Sequence, residues 1–261
     1  MNDTLLQLRV DAPSATLILN RPEQRNALSR QLIGLVQQAF SDLHQEKRVR
    51  AVILTGTGQT FSAGTDLNDI RQAARRQDAA QQWHADASQF RELLETMLQF
   101  PKPIIAALNG PVYGSAAALA LAADMVIAGK QAGFCLPEVQ RGLVAGWAAP
   151  LVAFRVGAGH AARLLLTGME IDAQEAHRIG LYQELVAEDM IWVRAHQLAQ
   201  QVAQTSAEAV NLTKRLLNET VGDAIRTQLF SAAATTASAR TTEAASEGVA
   251  AFLEKRPPDW P

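Results

Sequence analysis

Cysteine is nearly absent: Cys135 stands alone among 261 residues, which excludes an internal disulfide framework. Aromatic residues make up only 5% of the chain. Neither sign of charge dominates, with 24 Lys and Arg against 26 Asp and Glu for a net −2, so the basic footprint of a nucleic-acid binder is missing. No stretch is long and apolar enough to span a bilayer. The opening MNDTLLQLRVDAP has neither the charged start nor the apolar run of a secretory signal, and the expectation is a cytoplasmic protein without membrane or nucleic-acid partners. Each of the five histidines, His44, His84, His160, His177 and His196, falls in a stretch that reads as helical, and no metal site is indicated. What is plentiful is apolar side chain: 48% of residues, enough to build the core of one domain or of a domain with a helical appendage.

The segment Phe100–Asp124, FPKPIIAALNGPVYGSAAALALAAD, carries the most information. Ile104–Leu108 is a short apolar run that starts after Pro103 and stops at Asn109 and Gly110, as a buried strand does. A helix then begins near Gly114. From Ser115 to Ala123 nearly every side chain is small, so a ligand or other backbone can approach closely, and the first-turn N–H groups offer an anion site. A buried Ala-rich helix pressed against a sheet accounts for the same residues. Ala51–Thr55, AVILT, repeats the pattern: a buried strand that empties into TFSAGTDL (Thr60–Leu67), with Gly64 at the turn and Asp66 placed to cap the next helix. Two such exits can aim backbone donors at one oxygen, the usual device for holding an enolate or a tetrahedral intermediate. Ser62 and Ser115 both lie outside the GxSxG context of a nucleophile elbow, so serine hydrolysis is disfavoured.

In order and spacing, six segments resemble the crotonase, or enoyl-CoA hydratase/isomerase, superfamily. They are LILNRPEQRNALS (Leu17–Ser29), AVILTGTGQTFSAGTDL, KPIIAALNGPVYGSAAALALAADMVIA, FCLPEVQRGL, LLLTGMEIDAQEAHRIGL and EGVAAFLEKRPPDW (Glu247–Trp260). The resemblance implies an α/β fold, a spiral of ββα units with a C-terminal helical region, assembled as a homotrimer or a dimer of trimers. Residues 1–195 would form the catalytic core and 196–261 the helical trimerisation region. It also implies a coenzyme A thioester as the small-molecule substrate, with no prosthetic group. Carried over by position, the oxyanion donors are the backbone N–H groups of Thr65 and Ser115. Gln24, Arg25 and Ala27 fall beside the pantetheine and phosphate arm, Ala63, Asp66 and Leu67 beside the adenine end, and Lys255 near a phosphate.

The carboxylates depart from the hydratase pattern. Family hydratases use two Glu residues, and the first position is Ala118 here, while the second matches Glu138 in LPEVQRGL. Glu138 after Pro137 is also what a first helical turn favours without any catalytic role. A single base can carry a C2 proton to C4 while an oxyanion hole holds the dienolate, so 3-enoyl to 2-enoyl isomerisation is the favoured reading. Hydration of a particular 2-enoyl-CoA and CoA-thioester binding without turnover are the alternatives. Phe134, Leu136, Leu143, Val144 and Trp147 are candidates for an apolar lining that raises the Glu138 pKa. Leu143–Trp147, LVAGW, has no carboxylate, which disfavours the dehalogenase branch. Trp147 either reshapes the acyl pocket or is a core tryptophan, Asp124 looks structural and Cys135 reads as core.

Coarse patterning predicts a helix over Ser29–Glu46 and a strand over Arg50–Thr55. Arg71–Gln99 reads as helix that covers the pocket, with Arg75 and Arg76 on a solvated face. Asp189–Leu253 reads as almost wholly helical, with apolar faces from Leu198, Val202, Val210, Leu216 and Leu217. Ser231–Thr242 is too small-sided for a strong isolated helix and is expected to pack on a neighbour, another subunit being one candidate. Pro257–Trp260 reads as a flexible tail.

Overall fold

The computed structural model describes residues 5–261, and in the long C-terminal helix the side chains of 220–223 are left aside. The chain runs β1 (Leu6–Asp11), β2 (Ser14–Leu19), a 3-10 turn at Pro22–Gln24, α1 (Arg30–Gln45), β3 (Ala51–Gly56), α2 (Leu67–Ala74), α3 (Ala79–Gln99) and β4 (Ile104–Leu108). It continues with β5 (Val112–Tyr113), α4 (Ser115–Leu121), β6 (Met125–Gly129), β7 (Phe134–Cys135), a 3-10 turn at Pro137–Arg141, α5 (Ala148–Thr167), α6 (Ala173–Arg178) and β8 (Glu184–Val186). A 3-10 turn at Glu188–Met190 leads into α7 (Ile191–Ala203), α8 (Ala207–Ala239) and α9 (Glu243–Glu254).

Six strands form the main sheet in the order β1-β2-β3-β4-β6-β8, and β5 pairs with β7 in a small second sheet. Among the described strands the β1–β2 hairpin pairs antiparallel and the other strand pairs are parallel. The central strands are apolar without interruption because both of their faces are covered. Val52, Leu54, Ile104, Ala106 and Leu108 belong to the main core, while Ile53, Ile105, Ala107 and Ile127 meet Ile191, Ala195 and Ala199 of α7 on the other face. Helix α7 is therefore continuous across residues 195 and 196 and packs on the sheet.

Helix ends follow the side chains that cap them. Ser29 accepts from the Leu32 amide to start α1, and Asp66 accepts from the Asn68 amide to start α2. The polar stretch after Leu67 is broken between α2 and α3, where Arg76 grips Asp78 at the surface.

The structure bears on three expectations, meeting the first, the packing of Ser231–Thr242 on a neighbour, within the chain itself and correcting the other two. The small-residue run Ser231–Thr242 packs on its own chain: Ala232, Ala233, Thr236, Ala237 and Arg240 are buried, and α8 lies so close to Gly146 that a Cβ there would sit 2.7 Å from the Ala232 carbonyl oxygen. Small side chains are what allow that approach. Leu216 and Leu217 are exposed, because Lys214 rather than a leucine points α8 into the core. Its Nζ donates to Asp124 Oδ2 (2.8 Å) and to the carbonyls of Met97 and Lys102, and Asp124 Oδ2 also accepts from the Ile104 amide (2.7 Å). Asp124 thus ties the start of β4 to α8. The C-terminal PPDW is tethered, since the Asp259 amide and the Arg256 guanidinium both bond Glu247.

Candidate active site

Two loops carry the site, and glycine shapes both. Gly64 has φ +80 and would clash with the Tyr113 carbonyl oxygen at 2.5 Å if it bore a Cβ, so the loop after β3 can lie directly on the loop that opens α4. The contact is fixed by the Tyr113 amide donating to the Ser62 carbonyl (3.1 Å). Residues 24–28 run along the outer side: the Ala63 amide donates to Arg25 O, the Leu28 amide to Gly64 O and the Asp66 amide to Leu28 O. That register skips one donor. Among the described residues the Thr65 amide finds no acceptor, and neither does the Ser115 amide at the start of α4. The Thr65 and Ser115 hydroxyls hydrogen-bond each other at 2.9 Å, so the two unbonded amides belong to adjacent residues across the loop contact. Ser62 is not a nucleophile: it is fully buried and donates to the Asn26 carbonyl (2.7 Å).

Thr65, Ser115 and Glu138 line one cavity of about 30 Å³, closed by Ala63, Leu67, Ile70, Gly114, Arg141, Leu143, Val144, Trp147, Thr236 and Arg240. That is room for one or two waters. The leucine and isoleucine wall, Leu67, Ile70 and Leu143, forms a small cluster with Val249 and Leu253 of α9 that is separate from the main core. A second void of about 20 Å³ shares Thr65, Ile70, Ser115, Trp147 and Arg240 and adds the Arg30, Asp69 and Asp86 cluster.

Glu138 enters the cavity from the 3-10 turn that Pro137 begins. The residue as a whole is half-buried, yet its Oε2 is sealed from solvent and has no hydrogen-bond partner. Burial pushes its pKa up to about 7, against smaller opposing effects of its own backbone amide and the Arg141 guanidinium. Gly114 makes room for it: a Cβ there would lie 2.7 Å from Glu138 Oε1. Of the residues expected to line this pocket, Leu143, Val144 and Trp147 do so, whereas Phe134 and Leu136 are fully buried in the core and do not. Trp147 is also packed edge-on against Phe90, with centroids 5.0 Å apart.

Ala118 lies in the core with no exposure and outside the cavity lining. Asp69 and Asp86 line only the second void and are held by Arg30, which bonds both Asp86 oxygens at 2.5 and 2.9 Å. The first cavity thus has Glu138 as its one carboxyl among the described residues.

The other carried-over positions lie along the loop surface. Gln24 and Arg25 are exposed, and Arg25 is held at φ +49 beside Ala63. Ala27 is buried at the edge, and its carbonyl accepts from Arg21, which also pairs with Asp66 at 3.0 Å. The Asp66 side chain is therefore consumed by Arg21 and the α2 cap. Lys255 is exposed at the end of α9, the helix that packs on α2. Cys135 is buried against the Gly168 carbonyl, and burial raises its thiol pKa to about 11. Sequence reasoning missed Arg141, Thr236 and Arg240 as lining residues. The available signal was an isolated arginine closing a run of Ala, Thr and Ser. Among the described residues no group of three or more His, Cys, Asp or Glu side chains could hold a metal ion, and no helix is long and apolar enough to cross a membrane.

A family model described as enoyl-CoA hydratase/isomerase matches residues 12–261. The chain belongs to that family. It is 36% identical over 244 residues to a putative enoyl-CoA hydratase of Thermus thermophilus, covering 94% of this chain and 96% of the relative. It is 31% identical over 249 residues to the 1,2-epoxyphenylacetyl-CoA isomerase of Escherichia coli, covering 94% of each. The crystal structure of an enoyl-CoA hydratase/isomerase from Pseudoalteromonas atlantica superposes with a TM-score of 0.87 at 30% identity, covering 99% of this chain and 100% of that one. The fold is the crotonase α/β fold with C-terminal helices, and the protein is an enzyme of a family that acts on CoA thioesters.

Proposed function

We propose that this family member moves a double bond in an enoyl-CoA from C3–C4 to C2–C3, with Glu138 as its single base. The supporting observation is a buried, unpartnered carboxyl oxygen in the cavity that Thr65 and Ser115 also line, with no second carboxyl on its wall among the described residues. The Thr65 and Ser115 amides receive the thioester oxygen. Glu138 takes a proton from C2, the negative charge spreads onto that oxygen as a dienolate, and the protonated Glu138 returns the proton to C4 as the C2–C3 double bond forms. A pKa near the working pH suits a group that must both accept and give back the proton. The exposed Gln24 and Arg25, with the backbone of Ala27, Ala63, Asp66 and Leu67 along the same loops and Lys255 at the end of α9, receive the CoA arm. Self-association as a trimer or dimer of trimers belongs to the same proposal, and sedimentation equilibrium checks it.

The experiment follows purified protein by NMR in deuterated water with a 3-enoyl-CoA and, separately, a 2-enoyl-CoA. Double-bond migration without a 3-hydroxyacyl product, abolished in Glu138→Gln, is the expected result. Formation of a 3-hydroxyacyl product would instead establish hydration and require a second proton-transfer group. No conversion and no exchange at C2 with either substrate would leave a thioester-binding protein without turnover.

A further inference from the structure

Among the described residues six buried side-chain atoms lack a hydrogen-bond partner, and four of them, on Glu138, Trp147, Thr236 and Arg240, belong to residues that line the Glu138 cavity. Glu138 has a task in the chemistry. The other three do not: Trp147 Nε1, Thr236 Oγ1 and Arg240 Nη1. An indole N–H and a guanidinium can only donate, and a hydroxyl can donate as well, so one group that accepts hydrogen bonds and donates none would satisfy all three.

Charge narrows the choice. The Arg240 side chain is only 3% exposed, and its nearest carboxylate, Asp86 Oδ2, lies 3.8 Å from Nη1, beyond hydrogen-bond range. Both Asp86 oxygens are already bonded, Oδ1 by Arg30 Nε and Gln82 Nε2 and Oδ2 by Arg30 Nη2. Asp69, the other acid of that cluster, caps the Arg30 amide. Burial lowers the Arg240 pKa to about 10, which leaves it charged at neutral pH. Arg141 lines the same cavity, stacks 4.1 Å over Phe252 and has no ion pair among the described residues. The cavity therefore holds two guanidinium groups against the one carboxyl of Glu138, while Asp86, within ion-pair distance of Arg240 but off the cavity wall, is already shared with Arg30.

The donors are also placed deliberately by the backbone. A Cβ on Gly146 would lie 2.3 Å from Thr236 Oγ1, so only glycine lets α8 bring Thr236 to this wall, and Arg240 follows one helical turn later over the Trp147 ring, 5.7 Å from its centroid. A hydrocarbon tail entering here would leave all three donors unsatisfied. A carboxylate, with two oxygens that only accept, matches their number and their charge.

We propose that the acyl group of this enzyme's thioester substrate ends in a carboxylate, received by Arg240 Nη1 together with Trp147 Nε1 and Thr236 Oγ1. The proposal rests on the acyl-CoA reading above. Arg240 and Glu138 line the same cavity, which has to widen beyond its resting volume of about 30 Å³ to admit an acyl group, so the carboxylate stands only a few carbons from the thioester.

The test is calorimetric binding of saturated thioesters, which contain no double bond to move. Succinyl-, glutaryl- and adipyl-CoA are compared with butyryl-, pentanoyl- and hexanoyl-CoA, matched by carbon number, on the wild-type protein and on Arg240→Met and Arg240→Lys. The expected result is at least one carboxylated thioester bound ten-fold or more tightly than its methyl-ended match, a preference of about 1.4 kcal/mol. Arg240→Met should collapse that ratio to near unity, and Arg240→Lys should restore part of it. Equal or weaker binding of all three carboxylated thioesters to the wild-type protein overturns the proposal and leaves the acyl-CoA reading in place. If none of the six thioesters binds, the acyl-CoA reading itself is overturned. The wild-type comparison decides even if Arg240→Met does not fold.

Discussion

Replacing Glu138 with Gln should change how stability depends on pH, by an amount the cavity fixes. Burial raises the Glu138 pKa from its ordinary 4.5 to about 7. An acid whose folded pKa lies above its unfolded one holds its proton more tightly when folded, so the native state binds more protons between those values and stability falls as pH rises through that window. The complete shift is worth about 3 kcal/mol, of which about 2.5 kcal/mol falls between pH 5 and pH 8. The substituted amide does not titrate, and every other group stays in place. Plotted against pH, the stability of wild type minus that of Glu138→Gln should therefore drop by about 2.5 kcal/mol from pH 5 to pH 8, equivalent to about 5–10 °C in Tm for a chain of this size. Parallel thermal melts of the two proteins at half-unit pH intervals measure it. A flat difference, or one that rises with pH, would refute the claim that the carboxyl is desolvated in the folded protein. The same pKa governs the rate: kcat/KM should climb with pH on its acid side and level off above about 7 as the carboxylate becomes available to take a proton.

Gly114→Ala should lower Tm and activity together, because a Cβ at φ +57 meets Glu138 Oε1 at 2.7 Å; the strain is about 1–3 kcal/mol, and kcat/KM should fall at least ten-fold, with melts and turnover as the assays. Thr65→Ala and Ser115→Ala each remove the 2.9 Å hydroxyl pair but keep both main-chain donors, so kcat/KM should fall by less than about ten-fold, short of the 10²–10³ lost with an oxyanion donor. A double-mutant cycle in urea should assign about 0.5–1.5 kcal/mol of stability to that hydroxyl contact. Lys214→Met leaves Asp124 without its buried partner and should cost toward the lower end of about 3–5 kcal/mol, since Asp124 is 29% exposed, and chemical denaturation reads the loss.

Much of the fold was legible because local physics and tertiary demand agree. Ala51–Thr55 and Ile104–Leu108 read as buried strands from their unbroken apolar runs, and both faces are indeed covered, one by the main core and one by α7. Asp66 announced α2 through the amide it caps, while Ser29 marked only the start of α1, where it proves to be the cap. The two-residue strands β5 and β7 carry no periodicity to detect, since they are defined by the Val112 amide meeting the Gly133 carbonyl and the Gly114 amide meeting the Cys135 carbonyl across a crossover. Helix α8 misled for another reason. Small residues raise no strong hydrophobic signal, yet they allow the backbone contact with Gly146 that a leucine-faced helix would prevent.

The same contrast divides the site. Thr65, Ser115 and Glu138 stand next to sequence features that make their geometry: Gly64, Gly114 and Pro137. Main-chain donors depend on backbone shape, and backbone shape is written locally. Trp147, Thr236 and Arg240 meet instead by packing between segments almost a hundred residues apart, and no local pattern fixes which turn of α8 faces the cavity. That register is set by Ala232 and Thr236 seating against Gly146 and by Lys214 anchoring the far end of the helix to Asp124. The oxyanion pair can thus persist while residues on α8 change what lies at the far end of the acyl chain. On the proposed reading, substrate choice belongs to the C-terminal end of α8, and the reaction to the two glycine loops together with the 3-10 turn that carries Glu138.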